Sequence, residues 1–95
     1  MFKVEIIGYV TESAVIKTTP ARKEYVFFII NEKDEKGKES FIKCYYYGCS
    51  KDRCKSIQAG KKIIVWGRQN LSIFEKDNGE REINININVT EIYFP

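Results

Sequence analysis

A strict alternation of isoleucine and asparagine near the carboxyl end constrains the fold of this chain more than any other feature. Residues 83–89 read INININV, so apolar side chains and amides take turns along the chain. Successive side chains of a β-strand point to opposite faces, whereas this period gives a helix no apolar stripe. We therefore expect a strand over residues 82–94, with one face in the core and an outward row of amides, Asn84, Asn86 and Asn88.

Runs of β-branched and aromatic residues predict four further strands. They cover residues 2–10, 24–31, 41–47 and 61–74. Gly8 is expected to mark a bend or bulge in the first of them. A charged hairpin loop over residues 31–40 joins the second strand to the third, and residues 18–23 are predicted to form a loop. The tripeptide Asp77-Asn78-Gly79 gives the strongest short hairpin signal in the chain.

Only one short segment carries the signals of a helix. Ser50 is a suitable N-cap for residues 51–58, with Asp52 favourable in the first turn and Gly60 just past the end. Three strands, a short helix and two strands form the order of the OB-fold, a small Greek-key barrel. The SH3-like barrel, the main alternative, lacks a helix in that place. We expect one all-β OB-fold domain over residues 1–95. Its ligand surface is expected on the second and third strands and on the loops that join strands 1–2 and 4–5.

Composition removes most enzyme chemistry. The chain has no histidine and three cysteines, so no Ser-His-Asp or Cys-His catalytic group can form. The cysteines, at positions 44, 49 and 54, fit neither C-x2-C metal spacing nor an even disulfide framework. We expect a binding protein without metal or cofactor, whose thiols stay free in a reducing cytoplasm. Apolar runs are too short to cross a membrane, and the amino terminus lacks the apolar core of a signal peptide.

The net charge of +3 is unevenly distributed along the chain. Residues 31–62 contain nine basic and five acidic residues, whereas the remainder contains seven basic and eight acidic ones. A basic middle segment suits a polyanionic partner. A solvated surface on a lysine-rich protein gives the same pattern, so charge alone leaves both interpretations open.

The predicted strand FIKCYYY at residues 41–47 offers the best candidate binding surface. One face carries Phe41, Lys43, Tyr45 and Tyr47, and the other carries Ile42, Cys44 and Tyr46. The period alone does not say which face is exposed, but a lysine on the first face favours the second as core. Exposed aromatics stack on bases of any sequence, and a lysine between them neutralises phosphate. This face therefore predicts binding of single-stranded nucleic acid.

Two other groups of residues are less specific. Lys33 and Lys38 lie in the charged loop among four acidic residues, so the loop either contacts DNA or is simply solvated. Trp66, the only tryptophan, shares a strand face with Ile64. If the opposite face is core, an exposed apolar pair remains outside, and such a pair usually marks an interface. For Ile64 and Trp66 we favour a contact between subunits over base stacking.

Five short segments follow one another in the order and spacing of a known family. They are FKVEIIGYVTE at 2–12, Thr19-Pro20, FIKCYYYG at 41–48, Ala59-Gly60-Lys61 through Trp66-Gly67-Arg68, and VTEIYFP at 89–95. Each is too short to be specific, but together they resemble the bacterial-type single-stranded DNA-binding proteins along nearly the whole chain. The resemblance implies an OB-fold that stacks bases on aromatics and holds the backbone with lysine and arginine.

The resemblance also assigns roles to particular positions. Phe41 and Tyr47 fall where two of the family's stacking aromatics lie, and Phe74 falls where a third lies. Lys43 occupies a basic position between the first two. The DNA-binding residues expected from the sequence and the resemblance together are Phe41, Lys43, Tyr45, Tyr47, Phe74, Lys33 and Lys38.

The chain departs from the family pattern at three places. A family tryptophan between the second and third strands has no clear equivalent, and Lys33 lies near that place. Asn70, Ser72 and Ile73 replace basic residues of the last hairpin, which implies weaker binding. The sequence ends at Pro95, without the family's glycine-rich linker and acidic tail. We therefore expect a compact phage, plasmid or accessory version, or a shortened chain.

The expected function is non-catalytic, sequence-unspecific binding and protection of single-stranded DNA in replication, recombination or repair. RNA stays open as a ligand, because stacking and phosphate contacts serve both polymers. The alternative is a protein-interaction OB domain or primosomal accessory protein that scaffolds a replication complex and binds nucleic acid weakly. The resemblance further implies a homodimer or homotetramer in the cytoplasm, associated with the nucleoid.

Overall fold

Six strands and one short helix make up the computed structural model, which describes residues 2–95 and the side chains of residues 3–81 and 83–95. The elements are β1 (Phe2–Val10), β2 (Val15–Thr18), β3 (Glu24–Lys33), β4 (Glu39–Tyr47), α1 (Lys51–Ser56), β5 (Lys62–Glu75) and β6 (Arg81–Tyr93). The strands pair in the order β1-β5-β6-β4-β3-β2, and an additional pairing of β1 with β3 closes the sheet. This is the predicted OB-fold barrel, with the helix in the predicted place.

The short strand β2 is an addition to the five predicted strands. It runs antiparallel to β3, with Val15 opposite Phe27 and Thr18 opposite Glu24. All four of its residues are exposed, so it has no apolar period that a sequence pattern could reveal. β2 widens the sheet beyond β3 without adding to the core.

Two predicted segments, the β3–β4 loop and the helix, are each shorter than expected by a few residues. Cross-strand pairing of β3 with β4 continues to Lys33 and Glu39, so the loop between them covers residues 34–38 rather than 31–40. The helix ends at Ser56, with Ile57 as its C-cap, instead of continuing to residue 58. The N-cap is confirmed, because the Ser50 hydroxyl accepts a hydrogen bond from the Arg53 backbone N–H at 3.1 Å. Within residues 2–95, no helix is long and apolar enough to cross a membrane.

The interior of the barrel is lined by alternate residues of every strand except β2. Its core consists of apolar side chains and two cysteines: Val10, Val26, Phe28, Ile30, Ile42, Cys44, Cys54, Ile57, Ile63, Val65, Ile87, Val89 and Ile92. The predicted core face of the isoleucine–asparagine alternation is confirmed at Ile87 and Val89. It is wrong at Ile83, which is 62% exposed.

Ile83 is exposed because the hairpin of β5 and β6 is longer than the barrel. β1 pairs with β5 only as far as Gln69, and β4 pairs with β6 only from Ile85 onward. Residues 70–84 therefore form a two-stranded ribbon that no third strand accompanies. The Asp77-Asn78-Gly79 turn at its tip is confirmed by a hydrogen bond from the Gly79 N–H to the Lys76 carbonyl at 2.9 Å.

Glycine is required at position 67 because the backbone of β6 lies directly against the Cα atom of this residue. A register shift between Trp66 and Gly67 leaves Thr90 as an extra residue of β6. A Cβ at Gly67 would overlap the backbone oxygen of Asn88 and lie 2.8 Å from the Ile87 Cγ2 atom. The neighbour that would have to move is β-sheet backbone, which cannot give way cheaply.

Gly67→Ala is therefore expected to lower the free energy of unfolding by roughly 1–3 kcal/mol, the usual cost of overpacking. Urea denaturation followed by circular dichroism measures the change. Ser72→Ala, on an exposed position of the same strand, is the control and should alter stability by no more than about 0.5 kcal/mol. Equal stability of the two variants would contradict the close packing at Gly67.

Candidate functional site

β3 and β4 bring four aromatic rings together on the outside of the barrel. The hairpin register places Tyr25 opposite Tyr47 and Phe27 opposite Tyr45. The ring centroid of Tyr25 lies 5.1 Å from that of Tyr47 and 5.8 Å from that of Tyr45. The ring centroid of Phe27 lies 5.2 Å from that of Tyr45. These spacings are typical of tilted aromatic pairs, which stabilise a sheet beyond simple burial. Tyr25, Phe27, Tyr45 and Tyr47 are called the aromatic cluster below.

The exposed face of β4 is the one that carries Lys43, as the sequence indicated. Ile42 and Cys44 are 2% and 0% exposed, whereas Phe41 and Tyr47 are 57% and 40% exposed. Phe41 lies beyond Lys43, away from the aromatic cluster, and is paired with Asn31 of β3. The face from Phe41 to Tyr47 extends about 20 Å at the usual rise of a strand.

Three lysines surround these rings. The Lys17 Nζ lies 4.3 Å from the centroid of Phe27, and the Lys23 Nζ lies 5.6 Å from the centroid of Tyr47. Lys43 is exposed between Phe41 and Tyr45 on β4 itself. Contacts of this kind are worth about 0.5–1 kcal/mol at an exposed site, and they leave the ammonium groups open to an anion.

Tyr45, in the middle of the cluster, keeps its phenol proton more firmly than a free tyrosine. Burial raises the pKa of Tyr45, and the neighbouring Tyr25 and Tyr47 raise it further, because a second phenolate beside the first would be unfavourable. Tyr45 is therefore uncharged at physiological pH. A polyanion that approaches the cluster meets its rings and the cationic lysines beside them.

The amide row of β6 runs beside the aromatic strand. β4 and β6 are parallel, with Lys43 next to Asn86 and Tyr45 next to Asn88. The outward orientation predicted for this row agrees with its register, but Asn84 and Asn86 are half-buried rather than fully solvated. Each amide supplies both hydrogen-bond donors and an acceptor. The row thus continues the aromatic face with groups that bind uncharged polar partners.

The loop between β3 and β4 is organised by Asp34. Its Oδ1 accepts hydrogen bonds from the backbone N–H groups of Lys36 and Lys38, both at 2.9 Å. The Lys33 ammonium pairs with the Glu39 carboxylate at 3.4 Å. Of the two predicted loop lysines, Lys33 is therefore partly neutralised, while Lys38 contributes its backbone to the turn and keeps an exposed side chain.

Phe74 lies near the tip of the β5–β6 ribbon and is exposed. The alternation of β5 places it on the same face as Ser72, which pairs with Asn84 of the amide row. The structure thus puts Phe74 on the face that carries the aromatic cluster. The polar pairs of the ribbon separate it from the rings of β4.

Ile64 and Trp66 point outward on the opposite part of the barrel, as predicted, but they are half-buried and not freely exposed. The Trp66 Nε1–H donates to the Glu5 Oε2 at 2.7 Å, which covers part of the indole. Ile64 is flanked in register by Ile7 and Tyr93, which are the more exposed residues. The apolar surface here is wider than the predicted pair and is shared by three strands.

Four residues of this face were not predicted from the sequence: Tyr25, Phe27, Lys17 and Lys23. Tyr25 and Phe27 lie in the sequence EYVFFIIN at 24–31, which is apolar on both strand faces and so does not show which face is exposed. The hairpin register was the signal that could have placed them, because pairing residue 31 with residue 41 sets Tyr25 opposite Tyr47. The two lysines lie in the connection between the first two predicted strands, which was expected to border the ligand, but no residue pattern distinguished them there. One lies on the unpredicted strand β2 and the other in the loop after it.

Cys44 lies on the inner side of β4, directly behind the exposed rings. Burial raises the pKa of its thiol to about 12. Burial also raises the pKa of Cys49, where the neighbouring Cys54 adds to the rise and Arg53 opposes it. The three cysteines are free thiols in the structure, and Cys49 is the most exposed of them.

At pH 8 roughly one Cys44 in ten thousand carries the reactive thiolate, because the pKa of about 12 lies far above that pH. Iodoacetamide should therefore modify Cys49 first and leave Cys44 unmodified in the folded protein. Peptide mapping by mass spectrometry measures both rates. In denaturant all three thiols should react alike, and fast labelling of Cys44 in the native protein would show that β4 presents its other face.

Comparison with known proteins gives a consistent result. The model of the single-strand binding protein family matches residues 1–95. Among solved structures, a small single-stranded DNA-binding protein from Streptomyces coelicolor is 16% identical, with a TM-score of 0.75 over 99% of this chain and 94% of that one. A mitochondrial single-stranded DNA binding protein from S. cerevisiae is 15% identical, with a TM-score of 0.75 over 98% and 93%.

A Plasmodium falciparum SSB, solved in complex with ssDNA, is 17% identical, with a TM-score of 0.69 over 100% of this chain and 95% of that one. At these identities the likeness shows the shared fold. No curated protein sequence matches the chain.

Proposed function

Since the chain belongs to the single-strand binding protein family and binds single-stranded DNA, we propose that the outer face of β3 and β4 holds the strand by stacking its bases. The observation that carries this proposal is the exposure of Phe41 and Tyr47 on the same face as the packed rings of the aromatic cluster. As a member of this family the protein binds DNA and is not an enzyme. The aromatic cluster supplies the surface, and the barrel beneath it supplies rigidity.

Stacking accounts for binding without sequence preference. Every base has a π-face, and each stacked base contributes roughly 1–3 kcal/mol. Tyr25 and Phe27 support the rings of β4 from the side, so Tyr45 and Tyr47 lose little side-chain freedom when a base settles on them. Phe41 then forms a second stacking position at the other end of the strand.

Lysines beside the rings hold the phosphates. Lys43 lies between the two stacking positions, and Lys17 and Lys23 flank the aromatic cluster. Each phosphate neutralised by a lysine releases condensed counterions, which strengthens binding at low salt. Lys38 extends this path into the β3–β4 loop. Lys33 can bind a phosphate only if its ion pair with Glu39 breaks. Phe74 offers a further base position on the ribbon.

The cellular process is inferred from the ligand, because unpaired DNA arises in a few processes only. A protein that coats single strands removes their secondary structure and shields them from nucleases, which suits replication, recombination or repair. We place it at the nucleoid, where such strands arise. A protein-interaction OB domain with weak DNA binding is the second candidate, and the apolar surface around Ile64 and Tyr93 is the observation that favours it.

Poly-dT is expected to bind saturably and well above duplex DNA of equal length, because stacking needs unpaired bases. Quenching of tyrosine and tryptophan fluorescence measures both affinities, and poly-U in the same titration tests RNA. Equal affinity for duplex at moderate salt would leave only non-specific electrostatics. No quenching by any single strand would favour the protein-interaction domain instead.

Phe41→Ala and Tyr47→Ala are each expected to weaken binding of a short oligo-dT by roughly 1–3 kcal/mol, the loss of one stacked base. Leu71→Ala is the matched control, because Leu71 is nearly as exposed as Phe41 but lies on the other face of the ribbon from Phe74. Fluorescence anisotropy of a labelled oligonucleotide measures affinity, and thermal melting checks the fold. If Leu71→Ala weakens binding and the other two variants do not, DNA does not stack on Phe41 and Tyr47.

We also propose that copies of the chain associate through the surface around Ile64 and Trp66, as a homodimer or homotetramer. Ile7, Ile64 and Tyr93 form adjacent apolar positions there, and closed symmetric dimers are the commonest oligomers. Such a contact would cover apolar side chains that one barrel leaves in water. The DNA face on β3 and β4 stays free.

Ile64→Glu and Trp66→Glu place a carboxylate in that contact, where its desolvation costs several kcal/mol. Sedimentation at micromolar concentration should show a smaller species that still binds short oligo-dT. Leu71→Glu, on the ribbon, is the control for added charge and should leave the oligomer intact. A wild-type monomer would refute the assembly, and unchanged oligomers of both variants would move the interface elsewhere.

A further inference from the structure

We propose that α1 and the start of β5 form a second phosphate-binding site, which extends the DNA path beyond Tyr47. This inference rests on the proposed function, since it concerns where the same strand goes after leaving the stacked rings. Its residues are Lys51, Lys55, Lys61 and Lys62, called the basic end below. Its ligand is the sugar-phosphate backbone of single-stranded DNA, and it makes no contact with bases.

The basic end holds the net positive charge of the middle of the chain. Residues 51–62 contain five basic residues and one acidic residue, Asp52, for a net charge of +4. Residues 31–50 contain four basic and four acidic residues and are neutral overall. The basic character that the sequence showed over residues 31–62 therefore belongs to α1 and its surroundings, and not to the β3–β4 loop.

The lysines of the basic end are available to an external anion. All four are exposed, and among the side chains that the structure describes none forms an ion pair. Lys61 lies 5.3 Å from the ring centroid of Phe94. Arg53 differs from them, because its guanidinium donates to the Ile92 carbonyl at 2.7 Å and anchors the helix to β6. Arg53 thus acts in the fold, while the lysines face solvent.

The basic end follows directly from the stacking face. Tyr47 is the last residue of β4, Lys23 reaches over its ring, and Lys51 opens α1 after a turn of three residues. The helix is fixed to the barrel, since the Ala14 N–H donates to the Ile57 carbonyl and the Gly60 N–H donates to the Val10 carbonyl. A strand stacked on Tyr47 would pass Lys23 and then approach α1, whose first residue, Lys51, follows Tyr47 by four residues.

The opposite end of the molecule has the reverse charge. Residues 75–82, at the tip of the β5–β6 ribbon, contain four acidic and two basic residues. DNA that continues past Phe74 to the ribbon tip meets a net charge of −2, whereas DNA that continues past Tyr47 meets the net charge of +4 around α1. The charge distribution therefore gives the path one favoured direction.

The test compares two lengths of oligo-dT on the double variant Lys51→Gln/Lys55→Gln. An oligomer of about 6 nucleotides covers the stacking face, and one of about 20 exceeds the site of a single OB-fold and reaches the basic end. Log affinity is measured against log salt concentration for each. For the long oligomer the slope should become shallower by about 1.4, or 0.7 for each lost phosphate contact. For the short oligomer the slope should not change.

Lys3→Gln/Arg81→Gln removes the same charge from β1 and the ribbon and is the matched control. It should leave the slope for both oligomers close to that of the wild type. If the long-oligomer slope of Lys51→Gln/Lys55→Gln equals the wild-type slope, or if the control lowers it equally, the basic end is not a phosphate site. If the wild type binds neither oligomer, the stacking proposal itself fails. Lys55→Gln alone, if the double variant unfolds, should give half the change.

Discussion

The register between β3 and β4 is the constraint on which the rest of the molecule depends. It places Phe28 and Ile30 toward the core and Tyr25 and Phe27 toward solvent, opposite the matching residues of β4. A slip of one residue would turn both faces over, so that the rings filled the barrel and Cys44 lay outside. Such an inversion would disrupt the packing of the core. The same packing that stabilises the barrel therefore also assembles its aromatic surface.

The aromatic surface is tolerated in water because its parts protect one another. The rings of the cluster contact across the strands, and Lys17 and Lys23 cover two of them with flexible cationic side chains. These contacts keep large apolar groups from forming one continuous bare patch. They are also weak enough to be exchanged for a base and a phosphate, which makes the surface both stable and available.

Sequence patterns predicted the parts of the fold that local chemistry decides. The lysine at position 43 distinguished the two faces of β4, and Ser50 marked the start of α1. Both signals depend only on residues that are close in the sequence. The patterns failed where tertiary structure decides. Ile83 alternates like Ile87, but it lies beyond the last strand that could cover it. Tyr25 joined the site only through cross-strand register, and β2 exists only because β3 offers it an edge.

The ribbon of residues 70–84 has a consequence for how the protein opens. A two-stranded hairpin is marginal in water, and this one holds Leu71, Ile73 and Ile83 exposed while the barrel keeps its own core intact. The backbone hydrogen bonds of the ribbon can therefore break while the barrel stays folded. We therefore expect amide protons of the ribbon to exchange with solvent through local opening, and those of β3 and β4 to exchange only on global unfolding. The protein therefore has two levels of stability within one continuous sheet, with the softer one at the far end of β5 and β6.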